Sequence, residues 1–283
     1  MFFLVFGFFL QSFTGLFDGD YPSPELKQVI VLAKKIRPAD KQICKKKDTA
    51  EYFQKKWLRR KGAERNVLDM PESLSVQRIK EFNQVLTTLG MFGSSKYGPK
   101  NPKVVVILGA SFPSMKKRVS LICDYARTLK SKPLVILLTG DRALEKSRQD
   151  KNIPLDQGAP ADCTTEESAG RYLAEQQRDI EIQVINSKKQ PAAKRATTAD
   201  NGRKLESELK QKNIQGEVLI ISSEPVGPYQ LASIKRYCNV SGIHFSLLSV
   251  PYSEPFDKKT IALCMDTLAR WVYTETSPSD FFK

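Results

Sequence analysis

Five short apolar runs, rich in β-branched residues, recur along the last two thirds of the chain. They span Lys103–Gly109, Pro133–Gly140, Glu181–Asn186, Glu217–Ser223 and Ile243–Val250. Most of these runs show no clean alternation of apolar and polar positions. This pattern is typical of strands that are buried on both faces of a parallel sheet.

Segments with a helical spacing of apolar residues follow each of these runs. The predicted helices cover Pro113–Leu129, Thr164–Gln176, Thr198–Lys212, Gly227–Cys238 and Asp257–Tyr273. The alternation predicts an α/β fold, a Rossmann-like parallel sheet of about five strands with helices on both faces and right-handed crossovers. Ligands of such folds bind beyond the carboxyl ends of the strands.

Residues 21–100 lack this strand pattern and predict a helical extension in front of a Rossmann-type domain at 101–283. Three amphipathic segments with helical spacing lie in it: Glu25–Ile36, Thr49–Arg60 and Pro71–Leu89. Gly90–Pro102 is rich in Gly, Pro and Ser, which predicts a linker into the first strand of the sheet.

Residues 1–20 predict a signal peptide or a short membrane anchor. Phe2–Leu10 is continuously apolar, the length of a signal-peptide core but shorter than the roughly 20 residues of an ordinary transmembrane helix. No Lys or Arg precedes the run, and no A-x-A cleavage site follows it. A strand or helix buried in the protein is the alternative interpretation.

The positive charge of the chain is concentrated near its amino terminus. The formal net charge is +14, and Lys27–Arg65 alone holds fourteen Lys and Arg against four acidic residues. Such a segment indicates an anionic partner: membrane headgroups, nucleic acid or an acidic protein. The candidate contacts to an anionic surface are Lys45, Lys46, Lys47, Lys55, Arg59 and Arg60.

Nucleic acid ranks last among these partners. Tyr52, Phe53 and Trp57 lie among the lysines and offer rings on which bases can stack. An export signal, however, would separate the chain from nucleic acid.

Several large enzyme classes lack their motif in this sequence. There is no G-x-x-x-x-G-K-[ST] phosphate loop, no G-x-G-x-x-G after the first strand and no G-x-S-x-G elbow. The single histidine, His244, lies inside a predicted strand, which disfavours a Ser-His-Asp mechanism. The five cysteines are scattered without a C-x-x-C spacing, so neither a zinc site nor a disulfide framework is expected.

Polar chemistry is concentrated in the turns after the predicted strands. Gly109–Ser114 leads into a helix and can present N–H groups to an anion, although turn and capping chemistry explains it equally well. Asp141 follows the second strand, where a carboxylate can bind a ribose hydroxyl, act as a base or simply form a turn. Glu166 opens a helix in a stretch that also fits a capping box from Thr164 to Glu167.

A basic loop, residues 187–197, precedes the predicted helix Thr198–Lys212. It carries Lys188, Lys189, Lys194 and Arg195. Clustered cations beside a helix amino terminus suit phosphate or carboxylate groups, and a solvated basic loop is the alternative.

Taken in chain order, these short motifs resemble the YdcF-like family. In that family the first strand ends in a leucine-glycine turn and an arginine follows on the next helix, here Leu108, Gly109 and Arg118. The second strand ends in Ser/Thr-Gly, here Thr139-Gly140. A glutamate begins the next helix, and Glu166 stands at that place.

The most characteristic run of the family opens the helix after the third strand. Thr198-Ala199-Asp200-Asn201 resembles it, with Asp200 where the family usually has glutamate, and Ser222-Ser223 resembles the end of the fourth strand. The family then has a histidine and an arginine. This chain has Gln230 and no arginine in that stretch, which points to a binding-only or altered member.

The resemblance covers roughly residues 101–250 and implies an envelope-associated bacterial domain, often fixed to the inner membrane. No reaction is firmly assigned to the family, and one member binds S-adenosylmethionine, which makes that molecule a candidate cofactor here. Together with the turns, the resemblance predicts catalytic roles for Asp141 and Glu166 and no metal. The predicted ligand-binding residues are Gly109, Ser111, Arg118, Thr139, Thr198, Asn201, Ser222 and Gln230.

The sequence thus predicts a protein, exported or anchored in the bacterial envelope or periplasm, that binds an anionic small molecule, with or without turning it over. Its ligand would carry phosphate or carboxylate, or be a lipid-linked envelope precursor. A non-enzymatic protein that docks on a membrane or partner through the basic segment is the second hypothesis. Nucleic-acid binding is the third.

Overall fold

A computed structural model describes residues 15–58, 74–93, 98–146, 155–191 and 196–277. The described chain begins with a two-stranded hairpin of β1 (Phe17–Asp18) and β2 (Tyr21–Pro22). Three helices follow: α1 (Pro24–Ile36), α2 (Lys46–Lys56) and α3 (Val76–Thr88). Residues 1–14 of the predicted signal or anchor, which include its apolar run, lie outside the described residues, as do 94–97 of the predicted linker.

The centre of the molecule is a sheet of five parallel strands, which confirms the predicted fold class. The strands are β3 (Val104–Leu108), β4 (Leu134–Gly140), β5 (Ile182–Ser187), β6 (Gly216–Ser223) and β7 (Ile243–Val250). They lie in the order β5-β4-β3-β6-β7, so the chain starts at the middle strand, winds to one edge and then crosses back to the other. Rossmann-like sheets are wound in this order.

Helices cover both faces of this sheet. The helices that follow β3 along the chain are α4 (Phe112–Ala126), α5 (Glu166–Glu175), α6 (Thr198–Gln211), α7 (Gly227–Tyr237) and α8 (Lys258–Thr276). On one face of the sheet, Val105 and Ile107 of β3 pack with α4 and α5. On the other face, Val104 and Val106 pack with α6 and α7. Both faces of β3 are therefore buried, which explains why its sequence is apolar without alternation.

The caps of α5 and α6 show which polar residues are structural. The Thr165 side chain accepts from the Ser168 N–H, and this capping box replaces the one predicted from Thr164 to Glu167. The prediction was wrong by one residue because serine takes the role expected of glutamate. In α6, Thr197 and Asp200 form the box, so Asp200 is engaged in capping the helix.

The N-terminal helices share one core with α8. Leu26, Phe53, Phe82 and Leu86 are fully buried against Trp271 and its neighbours on that helix. In the sequence the extension precedes the sheet, but in the structure it packs against α8, which follows the sheet. A boundary at residue 100 therefore does not separate two hydrophobic cores.

The aromatic side chains of α2 face this core. Tyr52, Phe53 and Trp57 are buried, and the Trp57 indole N–H donates to the Tyr52 hydroxyl at 3.2 Å. The expectation that these rings stack on nucleic-acid bases was wrong, because packing against α8 takes up the apolar face of the helix.

The basic side chains of the extension remain largely on the surface. Lys45, Lys47 and Lys55 are exposed, and Lys55 pairs with Asp40 at 2.6 Å. Lys46 is half-buried, with its ammonium group 5.1 Å from the centre of the Phe17 ring. Arg59 and Arg60 lie outside the described residues. None of the described helices is long and apolar enough to cross a membrane.

Candidate functional site

A cleft of about 580 Å³ opens at the carboxyl edge of the sheet. It lies beyond β3, the central strand. The strands after β3 are added first on one side of it, as β4 and β5, and then on its other side, as β6 and β7. Such a switch point is the usual ligand site of open α/β sheets. Seven of the predicted site residues line it: Gly109, Ser111, Arg118, Glu166, Thr198, Asn201 and Gln230.

Three predicted site residues do not line the cleft. Thr139 is fully buried in β4, with its hydroxyl directed to the Ile185 carbonyl at 3.4 Å. Ser222 is buried behind Gln230 and donates to its side-chain oxygen. Asp141 follows β4, but the neighbouring Arg142 extends into the cleft in its place. These three side chains therefore do not line the cleft in the structure, and a ligand contact for them stays a prediction.

The amino end of α4 presents hydroxyl groups and a cation to the cleft. Ser111, Ser114 and Lys117 are spaced by three residues and line it together, because residues three apart share one helix face. The Ser111 hydroxyl donates to that of Ser114 at 3.0 Å and does not cap the helix. Both hydroxyls thus lie beside the positive end of the helix dipole.

Arg118 is buried and joins the ends of β3 and β6. Its guanidinium donates to the Leu108 carbonyl at 2.5 Å, to the Ser223 hydroxyl at 3.0 Å and to Gln230 at 3.5 Å. The side chain is only 2% exposed. Gln230 therefore helps to hold this arginine in the cleft wall.

Glu166 is the most enclosed acid of the cleft. Its carboxylate accepts from the Gly140 N–H at 3.0 Å and from Arg142 Nε at 3.2 Å. Burial raises the pKa of Glu166 above its ordinary value, although Arg142 and the Gly140 N–H act against this shift. A carboxyl group whose pKa is raised toward neutrality suits proton transfer.

The position of Glu166 requires glycine at residue 109. A Cβ on Gly109 would lie 2.1 Å from the Glu166 Oε1 atom and 2.8 Å from the Leu138 carbonyl oxygen. The glycine of the leucine-glycine turn is thus needed for close packing of a carboxylate against the strand end.

A buried ion pair behind Glu166 was missed in the sequence. Asp156 is fully buried and accepts from Arg142 at 2.7 and 3.0 Å and from the N–H groups of Phe112 and Glu145, both at 2.9 Å. Burial acts to raise the pKa of Asp156, but these hydrogen bonds outweigh it and lower the pKa. The position of Arg142 just after β4 could have marked it as a cleft residue. Asp156 lies in a long loop, where no sequence pattern marks a buried residue.

The β7 side of the cleft has a different lining, with several apolar and aromatic residues. Tyr229, Val250, Tyr252 and Leu263 contribute to it, together with Arg270. No motif marks these residues, because they come from α7, the end of β7 with the loop after it, and α8, which meet only in the folded chain.

The basic loop before α6 contributes little to the described site. Lys188 and Lys189 are exposed and do not line the cleft, whereas Lys194 and Arg195 lie outside the described residues. His244 is exposed on the edge strand β7. In the part of the chain that the structure describes, no group of His, Cys, Asp and Glu is arranged to hold a metal ion.

Comparison with family models, curated proteins and solved structures finds no match for this chain. Its fold and the geometry of its cleft are therefore the basis on which a function can be argued.

Proposed function

We propose that the cleft binds a small molecule that carries a phosphate or carboxylate group, at the turn from β3 into α4. The observation that carries the proposal is the convergence of Ser111, Ser114 and Lys117 with the first turn of α4 at the switch point of the sheet. The hydroxyls of Ser111 and Ser114, the Lys117 ammonium group and the positive end of the helix dipole together favour an anion.

Glu166 is the candidate proton-transfer group of this site, in place of the pair Asp141 and Glu166 expected from the sequence. It lines the cleft with a raised pKa, whereas Asp141 does not line it. Membership of the YdcF-like family and a place in the bacterial envelope remain part of the proposal. They rest on the residue runs alone, and they make lipid-linked phosphates and S-adenosylmethionine worth testing.

A ligand screen on the full chain tests anion binding. Thermal shift and titration calorimetry would use inorganic phosphate, citrate, nucleotides, S-adenosylmethionine and a polyprenyl phosphate, since a ligand of the native state raises the melting temperature. Lys117→Ala should weaken binding about fivefold or more, consistent with the loss of one charged contact. Lys116→Ala is the matched control, because Lys116 is exposed on the same helix but does not line the cleft. Equal effects of the two variants would contradict the proposed site.

A second candidate function is docking on an anionic membrane through α1 and the start of α2. The outer face of α1 combines exposed Lys27, Lys34 and Lys35 with Val31, which is 56% exposed. Exposed Lys45 and Lys47 begin α2. Since the aromatic rings of α2 are buried, attraction between charges would supply most of the binding, about 1 kcal/mol per basic residue near the surface.

Vesicle co-sedimentation tests this second function. The double variant Lys45→Glu, Lys47→Glu should lose binding to vesicles that contain anionic lipid, and added salt should weaken binding of the unmodified chain. Lys258→Glu, Lys259→Glu is the control, because both residues are exposed at the start of α8. Equal binding to neutral and anionic vesicles would contradict docking by charge.

A further inference from the structure

The size of the cleft indicates a ligand much larger than a single anion. Its volume of about 580 Å³ lies within the roughly 300–1,000 Å³ of sites that hold cofactor-sized molecules. The α4 turn occupies only one side of this space. The remaining lining therefore carries information about the rest of the ligand.

The β7 side of the cleft offers a preformed aromatic surface. The Tyr252 hydroxyl lies 3.0 Å from that of Thr260, and its ring makes an edge contact with Phe92 at 5.7 Å between centroids. Its N–H donates to Glu224 at 2.9 Å. Tyr252 is only half-buried although it is held at three points, so its ring is fixed before a ligand binds.

Glu224 and Phe92 bring the N-terminal helices into this wall. The second carboxylate oxygen of Glu224 accepts from the Gly93 N–H at 2.7 Å. Phe92 also contacts the Phe256 ring, with 5.5 Å between centroids. The turn after α3 thus clamps the loop that carries Tyr252, and the aromatic surface is part of the packed structure.

Asn201, a residue of the cleft wall, suits a ligand hydroxyl. The Asn201 Oδ1 atom is buried and has no hydrogen-bond partner among the described residues, and Asn201 lines the cleft. An ionised phosphate or carboxylate only accepts hydrogen bonds and cannot satisfy it. A hydroxyl group both donates and accepts, so it suits this amide in either orientation.

From these three features we infer that the ligand is a nucleoside phosphate, an inference that rests on the anion site proposed above. The phosphate lies at the α4 turn, a sugar hydroxyl meets Asn201, and the base packs on the Tyr229 and Tyr252 side. In the standard dinucleotide fold an acid after the second strand binds the ribose. Here Asp141 does not line the cleft, and the base lies on the β7 side of the switch point.

Calorimetric titration of the full chain with fragments tests this assignment. The probes are the four common nucleoside 5′-monophosphates, ribose 5-phosphate, inorganic phosphate and farnesyl phosphate. At least one nucleotide should bind about tenfold more tightly than ribose 5-phosphate, equivalent to about 1.4 kcal/mol. If ribose 5-phosphate binds as tightly as every nucleotide, the base site is refuted while the anion site stands. Tighter binding of farnesyl phosphate than of any nucleotide also refutes the base site. If no phosphate compound binds, both the base site and the anion site are refuted.

Two substitutions separate the base site from the sugar site. Tyr252→Leu should remove the tenfold gain and leave the affinity for ribose 5-phosphate unchanged, whereas Tyr252→Phe should retain the gain. Asn201→Ala should weaken nucleotides and ribose 5-phosphate but not inorganic phosphate. An equal loss for all ligands, with an unchanged melting temperature of the unliganded chain, would contradict these assignments.

Discussion

At the scale of single residues, the missing side chain of Gly109 decides where the Glu166 carboxylate can lie. The carboxylate occupies the space that a Cβ would take and is held there by Gly140 and Arg142. The glycine of the leucine-glycine turn is therefore required by packing, which the sequence motif alone does not show.

Gly109→Ala should destabilise the protein by about 1–3 kcal/mol, the usual cost of forcing extra atoms into a packed site. The new methyl group would meet the Leu138 backbone, which cannot move aside. Gly140→Ala is the milder control, since its Cβ would first meet the Ala196 Cβ at 3.3 Å. Chemical denaturation measures both variants, and equal stabilities would contradict the steric argument.

Glu166 should also give the stability a characteristic dependence on pH. Because burial raises its pKa in the folded state, the folded chain binds this proton more tightly than the unfolded chain. The contribution is present below the ordinary glutamate pKa and is lost as pH rises through the raised value.

Glu166→Gln keeps the shape of the side chain but removes the titration. As the pH rises from the ordinary glutamate pKa through the raised value, the free energy of unfolding of the unmodified chain should therefore fall relative to that of the variant. Denaturation across this range measures the difference. A difference that stays constant, or that changes in the opposite direction, would show that Glu166 is not held with a raised pKa.

At the scale of elements, the strands and helices follow from local pattern, whereas the long connection after β4 does not. Asp156 ties this connection to the start of α4 through the Phe112 N–H and to β4 through Arg142. One buried carboxylate thus anchors the described part of this connection to the sheet and to α4.

Asp156→Ala should lower the free energy of unfolding by about 3 kcal/mol, because it removes a fully buried carboxylate and leaves the largely buried Arg142 cation with Glu166 as its remaining acidic partner. The loss should also displace Arg142 and weaken any ligand of the cleft. Asp162→Ala, an exposed acid of the same connection, should change stability by less than about 0.5 kcal/mol. Thermal and chemical denaturation of the pair would reveal whether Asp156 is the anchor.

At the scale of the whole molecule, the extension and the sheet domain should unfold together. The core around α8 contains side chains from all three N-terminal helices, and both tryptophans of the chain, Trp57 and Trp271, lie in it. Tryptophan fluorescence therefore reports on this core, whereas circular dichroism reports on the sheet as well.

Phe53→Ala should cost about 3–5 kcal/mol, since the phenylalanine is fully buried. The unfolding midpoint of this variant should fall by the same amount whether it is measured by fluorescence or by circular dichroism, as two-state unfolding requires. Lys47→Ala, on the exposed side of α2, should leave both midpoints unchanged. Separate transitions for the two signals would indicate that the extension is an independent unit.

The sequence by itself determined the order of strands and helices after residue 100, the parallel sheet and the edge at which the cleft lies. Each follows from local periodicity: a strand buried on both faces must be apolar throughout, and helix ends carry polar caps. Gly109, Ser111, Arg118 and Glu166 could be placed at the cleft because each belongs to the carboxyl end of a strand or to the helix after it.

Only the tertiary structure decided which of the polar side chains meet there. The ion pair of Arg142 with Asp156 closes a long loop. The aromatic surface joins Tyr229 of α7, Tyr252 of the loop after β7 and Phe92 of the turn after α3. The rings of α2 looked like a surface for a partner in sequence, but they pack on α8, more than 200 residues away. Local pattern reports that a face is apolar, and only long-range packing determines what covers it.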